Sequence, residues 1–249
     1  MRLNTVFGLA IAAVIGAAAP VMAQDAARVG SSPTGLPFTF VNTETNQMDG
    51  VLIDVVKAIQ NDISIKPEFE AVQFSALVPS LTSSKIDMIA SAMFITEERA
   101  KVVDFSDPVY GYGEGVFVPV SDETAYTKYE DLKGKTVGVQ VGTTFVDLFQ
   151  KSGLFKEVKI YKGIPDIIAD VNAGRIDAGF GDGPMAAYYL AQGRFPKVKM
   201  VDSYKSSAGG EFGIALRKGD ERMAKINEAI ARIKSDGTLK EILAKYGLK

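Results

Sequence analysis

Apolar residues recur along much of the chain at the 3, 4, 7 spacing that lines one face of an α-helix. Leu52, Val55, Val56 and Ile59 form one stripe; Phe74, Leu77, Val78 and Leu81 form a second; Ile164, Ile167, Ile168 and Val171 form a third. Two more close the chain. Met223, Ile226, Ile230 and Ile233 come first, then, past the Asp236-Gly237 break, Leu239, Ile242, Leu243 and Tyr246. Between the stripes lie short β-type runs at residues 38–41, 88–91, 116–120, 136–139, 176–180 and 212–216. Helices and strands in alternation predict an α/β fold with largely parallel sheets.

An internal echo refines this reading. Residues 74–91 run as amphipathic helix, turn with Lys85-Ile86-Asp87, then strand; residues 164–181 run as amphipathic helix, turn with Arg175-Ile176-Asp177, then strand. A basic residue followed by Ile-Asp opens the strand in both, which predicts two lobes of similar topology. The glycine-rich run Gly111-Tyr112-Gly113-Glu114-Gly115 suits a first crossover between lobes, and Ser206-Ser207-Ala208-Gly209-Gly210 a return crossover. The expected division is a first lobe of residues 24–112 plus 211–249 and a second of residues 113–210, with hinge crossovers near 111–117 and 205–212. Ligands of open α/β sheets bind beyond the carboxyl ends of the strands, so two such edges face to face create a two-sided cleft.

The first residues stand apart from this pattern. Arg2, an apolar run over residues 6–19, Pro20 and the small residues of Val21-Met22-Ala23 read as a secretory leader, residues 1–23, with cleavage after Ala23. No later stretch is apolar and long enough to span a bilayer, so a sensor domain joined to a membrane helix is not expected. The chain has no cysteine, so it carries neither disulfides nor the attachment point of a lipid anchor; a released periplasmic protein is expected.

Composition narrows the chemistry. With no histidine and no cysteine, the usual transition-metal sites and Ser-His or Cys-His nucleophiles are excluded. A formal net charge of -2 from 28 basic and 30 acidic residues gives no basic face for nucleic acid. No metal and no cofactor is expected.

One stretch is more specific. Ile95-Thr96-Glu97-Glu98-Arg99 followed by Val103-Asp104-Phe105-Ser106-Asp107-Pro108-Val109-Tyr110 resembles the central signature of periplasmic amino-acid-binding proteins, the family 3 solute receptors of polar-amino-acid ABC importers. Leu77-Val78-Pro79-Ser80-Leu81, Asp131-Leu132-Lys133-Gly134-Lys135, Val137-Gly138-Val139-Gln140, Gly142-Thr143-Thr144 and Gly213-Ile214-Ala215-Leu216-Arg217-Lys218-Gly219-Asp220 match in the same order, so the likeness covers nearly the whole chain after the leader. The resemblance implies a two-lobed type II periplasmic-binding-protein fold of two mixed sheets flanked by helices, with a two-strand hinge. It implies a non-catalytic monomer that closes on a small zwitterion and docks on permease subunits in the inner membrane.

A buried zwitterion needs donors for its carboxylate and an anion for its ammonium, because unpaired burial is costly. Arg99 aligns with the family's carboxylate-binding arginine, and its planar guanidinium can donate two parallel hydrogen bonds. Gly142, Thr143 and Thr144 precede a helical pattern, where backbone N–H groups and a hydroxyl would grip the same carboxylate. Asp182, after the strand run 176–180, falls where the family carries its ammonium-binding aspartate; a helix cap before Pro184 is the competing role. Ser91 ends the matching strand of the first lobe, Phe74 holds the family's pocket aromatic, and Phe38 lies in the first loop.

The match departs at four places. Gly35 stands where many members carry an aromatic, Ser32 where receptors for basic amino acids carry an aspartate, and Ala92 and Phe94 where small hydroxyl residues are common. A pocket without that aspartate argues for a neutral or polar amino acid over lysine, arginine or ornithine. Phe94 could also face a quaternary or delocalised cation, which opens betaine- and ectoine-like compatible solutes as an alternative. A second alternative is an enzyme resembling the cyclohexadienyl dehydratases built on this fold, for which Glu114 and Glu211 are the nominable carboxylates, though both are expected at the solvated surface.

Overall fold

The structure, a computed structural model, describes residues 25–248; the leader predicted over residues 1–23 lies outside them. The chain opens with β1 (Asp25–Ser31), then a small antiparallel meander of β2 (Thr34–Gly35), β3 (Thr39–Asn42) and β4 (Gln47–Asp49). Helix α1 (Val51–Ile59), β5 (Ile65–Ala71), a 3-10 turn at Phe74–Ala76, α2 (Leu77–Thr82), β6 (Met88–Ile89), the single turn α3 (Glu97–Ala100) and β7 (Val103–Phe105) follow. β8 (Tyr110–Tyr112) leads into β9 (Glu114–Pro119), a 3-10 turn at Tyr129–Leu132, β10 (Thr136–Gln140), α4 (Thr144–Ser152) and β11 (Glu157–Tyr161). Next come α5 (Ile164–Asn172), β12 (Ala178–Asp182), α6 (Gly183–Ala191) and β13 (Val198–Met200). The chain returns through β14 (Gly210–Phe212) and β15 (Ala215–Arg217) and finishes in α7 (Arg222–Ser235) and α8 (Thr238–Lys245).

The strands form two five-stranded sheets of one plan. One has the order β5-β1-β6-β15-β7 and the other β11-β10-β12-β9-β13. In each, the first three strands run parallel and the last two antiparallel to their neighbours. A separate antiparallel ribbon of β8 and β14 pairs Tyr112 with Gly210 and Tyr110 with Phe212 at the two places where the chain passes between sheets.

The sequence echo has a physical basis in a repeated corner. Asp87 donates its N–H to the Arg28 carbonyl (2.8 Å) and accepts from the Arg28 N–H on its carboxylate (3.1 Å). Asp177 does the same with Thr136, at 2.9 and 2.7 Å. In both lobes the aspartate fastens the turn before the third strand to the start of the first. Asp87 also binds the side chains of Arg28 and Arg217, and this holds its carboxyl at about 2.

The predicted apolar stripes face inward. Leu52, Val55, Val56 and Ile59 of α1, and Ile164, Ile167, Ile168 and Val171 of α5, are all buried. Each such side chain contributes about 1.5–3 kcal/mol by leaving water. The single strand expected over 212–216 is instead two. Phe212 ends the ribbon and Ala215 enters the first sheet, with Gly213 between them pressed so close to Ser106 that an added Cβ would lie 2.7 Å from its hydroxyl. The run 176–180 is shifted along the chain, so that β12 ends at Asp182 itself.

Candidate functional site

The carboxyl ends of the two sheets meet at a cavity of about 210 Å³ lined by Phe74, Ala92, Phe94, Arg99, Thr143, Thr144, Phe145 and Asp182. Its enclosed part is small, with room for about one water molecule, so the two sides lie nearly closed upon each other. Six of these lining residues are among those singled out from the sequence. They arrive from α3, from the 3-10 turn before α2 and from the loop after β6 on one side, and from α4 and β12 on the other.

Arg99 is set by its own short helix. Thr96 caps α3 by accepting the Arg99 N–H at 3.2 Å, which directs the side chain back across the loop. The guanidinium donates to the Phe94 carbonyl (2.6 Å) and to the Gly142 carbonyl (3.0 Å), and it lies 5.7 Å from the centre of the Phe74 ring. Burial lowers its pKa from the ordinary arginine value, with the nearby Asp182 charge acting against the shift.

Asp182 ends β12 and precedes α6, yet its side chain makes no capping bond to that helix. The carboxylate is therefore free of the competing role. Burial pushes it up to about 7, while the Tyr112 hydroxyl and the Arg99 charge pull it back down. Arg99 and Asp182 feel each other's charge but form no ion pair among the described residues. They line one cavity without pairing directly, with the Tyr112 hydroxyl beside the Asp182 carboxyl.

The first turn of α4 presents Thr143, Thr144 and Phe145 to the same space. Thr143 donates its hydroxyl to the Gln140 carbonyl at 2.7 Å, so its oxygen remains an acceptor but its proton is taken. Gly142 stands just outside the lining. At φ 80° it turns its carbonyl onto Arg99, and its Cα approaches Ser75 so closely that a Cβ would meet the Ser75 Cα at 3.0 Å.

Two other sequence candidates are not brought to the cavity. Phe38 is fully buried behind it, stacked on Tyr112 at 5.1 Å and edge-on to Phe212 at 5.2 Å. Ser91 is 2% exposed and accepts the Ser32 N–H on its hydroxyl at 2.9 Å, which fixes the strand end and leaves Ala92 and Phe94 as the lining residues. Ala92 sits at φ 47°, a left-handed conformation unusual for a residue with a Cβ.

Sequence reasoning missed Phe145 and Tyr112. Phe145 meets Phe94 edge-on at 6.3 Å; its position next to Thr144 was signal enough to nominate it. Tyr112 hides in a glycine-rich crossover. Its ring packs on Phe38 and Phe94, its hydroxyl donates to the Ala92 carbonyl at 3.2 Å, and burial together with the Asp182 charge raises its pKa well above the usual value. It links the ribbon, the first sheet and Asp182.

The surface role expected for Glu114 is corrected. Glu211 is exposed, but Glu114 is 3% exposed and its two oxygens are filled by donors from residues 204–208. Burial raises its pKa, but those hydrogen bonds outweigh it and hold the carboxyl below the ordinary range. A general acid needs the opposite shift and an open position.

Known proteins resemble this chain over most of its length. The histidine-binding periplasmic protein of Escherichia coli is 33% identical over 231 residues, 88% of this chain and 86% of that protein. The ABC transporter arginine-binding protein 1 of the same species is 33% identical over 217 residues, 86% of this chain and 87% of that protein. A solved ancestral arginine-binding protein bound to arginine superposes with a TM-score of 0.82 at 36% identity, over 90% of this chain and 99% of that one. These relatives are two-lobed binding proteins rather than enzymes. With its residues 27–249 matching throughout, this chain belongs to the bacterial extracellular solute-binding proteins, family 3.

Proposed function

We propose that the chain is a periplasmic receptor that captures an amino acid, or a closely related zwitterion, by lobe closure and delivers it to an ABC importer in the inner membrane. The observation that carries this reading is the placement of two opposite groups: Arg99 from one half and Asp182 from the other line a single cavity and form no direct ion pair among the described residues. A ligand carrying a carboxylate and an ammonium satisfies both at once, and it does so only when the halves are together. That is the differential affinity that drives closure.

The moving parts in this reading are a first lobe of residues 24–112 plus 211–249 and a second of residues 113–210, with the β8–β14 ribbon as hinge. Removal of the leader after Ala23 without lipid attachment, release into the periplasm and action as a monomer belong to the same proposal. Thr144 and the backbone N–H groups at the α4 N-terminus assist Arg99 at the carboxylate, while Thr143, its hydroxyl proton donated to Gln140, shapes the turn that presents them; Phe74, Phe94 and Phe145 enclose the remainder.

A neutral or polar side chain fits best. Asp182 is the sole acid of the lining, and the position of Ser32 offers no second anion for a cationic side chain. The relatives named for arginine and histidine therefore mark the family more than the ligand. The three aromatic rings of the lining favour, as a second reading, a betaine- or ectoine-like solute whose cationic end faces π-systems. A thermal-shift screen over the common L-amino acids, betaines and ectoine tests both. The best hit is expected to raise the melting temperature of the parent and to leave Arg99→Ala unmoved; an equal shift in Arg99→Ala refutes the proposed orientation.

A further inference from the structure

Glu114 receives more than a solvated carboxylate at a strand end needs. Its Oε1 accepts from the Tyr204 hydroxyl (2.8 Å), the Ser207 N–H (2.8 Å) and the Ser207 hydroxyl (3.3 Å). Its Oε2 accepts from the Ala208 N–H (2.9 Å) and from the Ser206 hydroxyl. Each oxygen thus faces one backbone N–H of the return crossover. In the sheet, Glu114 stands opposite Asp182 in the β9–β12 register, and the neighbouring Gly113 carbonyl accepts the Gly183 N–H at 2.9 Å.

Two glycines separate this clamp from the β8–β14 ribbon. A Cβ on Gly113 would fall 2.0 Å from the Ser206 hydroxyl, and a Cβ on Gly209 would fall 2.9 Å from the Tyr112 carbonyl and 3.1 Å from the Gly113 Cα. The two crossovers therefore touch backbone to backbone at Gly113 and Gly209. On one side they are tied by ribbon hydrogen bonds, on the other by Glu114.

We propose that Glu114 is a positioning residue for ligand capture: it pins the two crossovers together where they enter the second sheet, confines bending to Gly113 and Gly209, and holds the strand end bearing Asp182 at a fixed angle to the hinge. The idea rests on the lobe-closure reading above. The chemistry asks for a carboxylate and not an amide. A glutamine would have to turn its NH2 toward either the Ser207 or the Ala208 N–H, setting donor against donor. The freed crossover gains conformations that closure must then suppress, and this weakens binding without any change in the cavity.

The chain lacks cysteine, so Lys85→Cys and Lys197→Cys, both at exposed positions, give clean spin-label sites on the two sides. Distance distributions are measured without ligand and with an equimolar mixture of the twenty common L-amino acids, and the mixture is titrated by thermal shift. Glu114→Gln is expected to broaden the ligand-free distribution and to raise the half-saturating concentration roughly tenfold. A Glu114→Gln protein with a lower melting temperature but parent-like distribution and half-saturation has lost only stability, and that result overturns the proposal. If Glu114→Gln does not fold, Tyr204→Phe with Ser206→Ala removes two of the donors; the same shifts, smaller, are expected, and parent-like behaviour again overturns the proposal. Arg99→Ala on the labelled background separates the two readings. It is expected to lose saturation with a parent-like ligand-free distribution, whereas parent-like binding sinks the carboxylate assignment and leaves the Glu114 comparison to stand on the ligand-free distances.

Discussion

The Arg99 guanidinium is the residue on which ligand orientation depends. The Phe94 carbonyl and the Phe74 ring hold it from its own half, so it is preorganised before any ligand arrives, and the Gly142 carbonyl adds a contact from the other half. Replacing it by lysine retains charge but loses the planar fork. Arg99→Lys is expected to weaken the best ligand by about 1.5–3 kcal/mol, the usual worth of one hydrogen bond to a charged group, and isothermal titration reads it directly. Asp182 offers a second test through its acidity. Its carboxyl is raised to about 7 in the folded protein, above the unfolded value of 3.8. Below pH 4 it is protonated in both states and costs nothing. As pH rises from 4 to 7 the unfolded chain ionises first, so the folded state loses ground progressively. Asp182→Asn is therefore expected to melt higher than the parent at pH 8, with the gap closing toward pH 4, while losing ligand-induced stabilisation at every pH. A parent-like melting curve at pH 8 contradicts the buried placement. At this scale the sequence yields most of the site. Arg99, Asp182, Thr143 and Thr144 are legible chiefly through the resemblance, whose motifs place ligand-binding residues at those positions; as bare charges and caps at element ends they would pass for ordinary surface and turn residues. Tyr112 is not legible, because a tyrosine amid glycines carries no sign of the partners that a distant strand end brings to it.

Elements are positioned by corners rather than by helix stripes alone. The reciprocal bonds of Asp87 with Arg28 and of Asp177 with Thr136 set the third strand against the first in each sheet, and so set where the strand ends fall. The bond from the Arg28 side chain is the main reason that Asp87 sits at about 2. Its pKa is depressed, so its stabilisation is present above 3.8 and lost as pH falls toward 2. Asp87→Asn is expected to destabilise the protein at pH 7 by about 1–2 kcal/mol, discounted for the half-open Arg28, with the difference vanishing near pH 2. Urea denaturation at both pH values measures this. The echo of Lys85-Ile86-Asp87 and Arg175-Ile176-Asp177 exposes this corner in the sequence because the hydrogen bonds are local to one motif. Strands β1 and β5 escape the same reading. Glu68 and Glu70 of β5 are exposed at the edge of the sheet, and β1, though paired on both sides, carries Asp25, Arg28, Gly30 and Ser31; either way the apolar run that marks a central strand is broken.

The whole molecule is captured with its halves together. Arg99 reaches the Gly142 carbonyl, the Tyr189 hydroxyl donates to the Thr34 carbonyl at 3.1 Å, and Gly163 abuts Thr34, each contact running between the two sheets' flanking elements. None of these cross-contacts is a large apolar patch, and on the proposed reading a ligand adds to them and shifts the halves toward closure. The radius of gyration in solution is expected to shrink on saturation with the best ligand, and Tyr189→Phe, which loses only the bond to Thr34, is expected to bind about threefold more weakly at most. The central claim concerns one guest shared by two charges. A crystal structure of the complex with the strongest hit from the thermal-shift screen tests it most directly. The account predicts the ligand carboxylate on the Arg99 guanidinium and its cationic nitrogen against the Asp182 carboxylate, with both halves around it. A ligand seated elsewhere, or held by Arg99 with Asp182 turned away from it, contradicts the account.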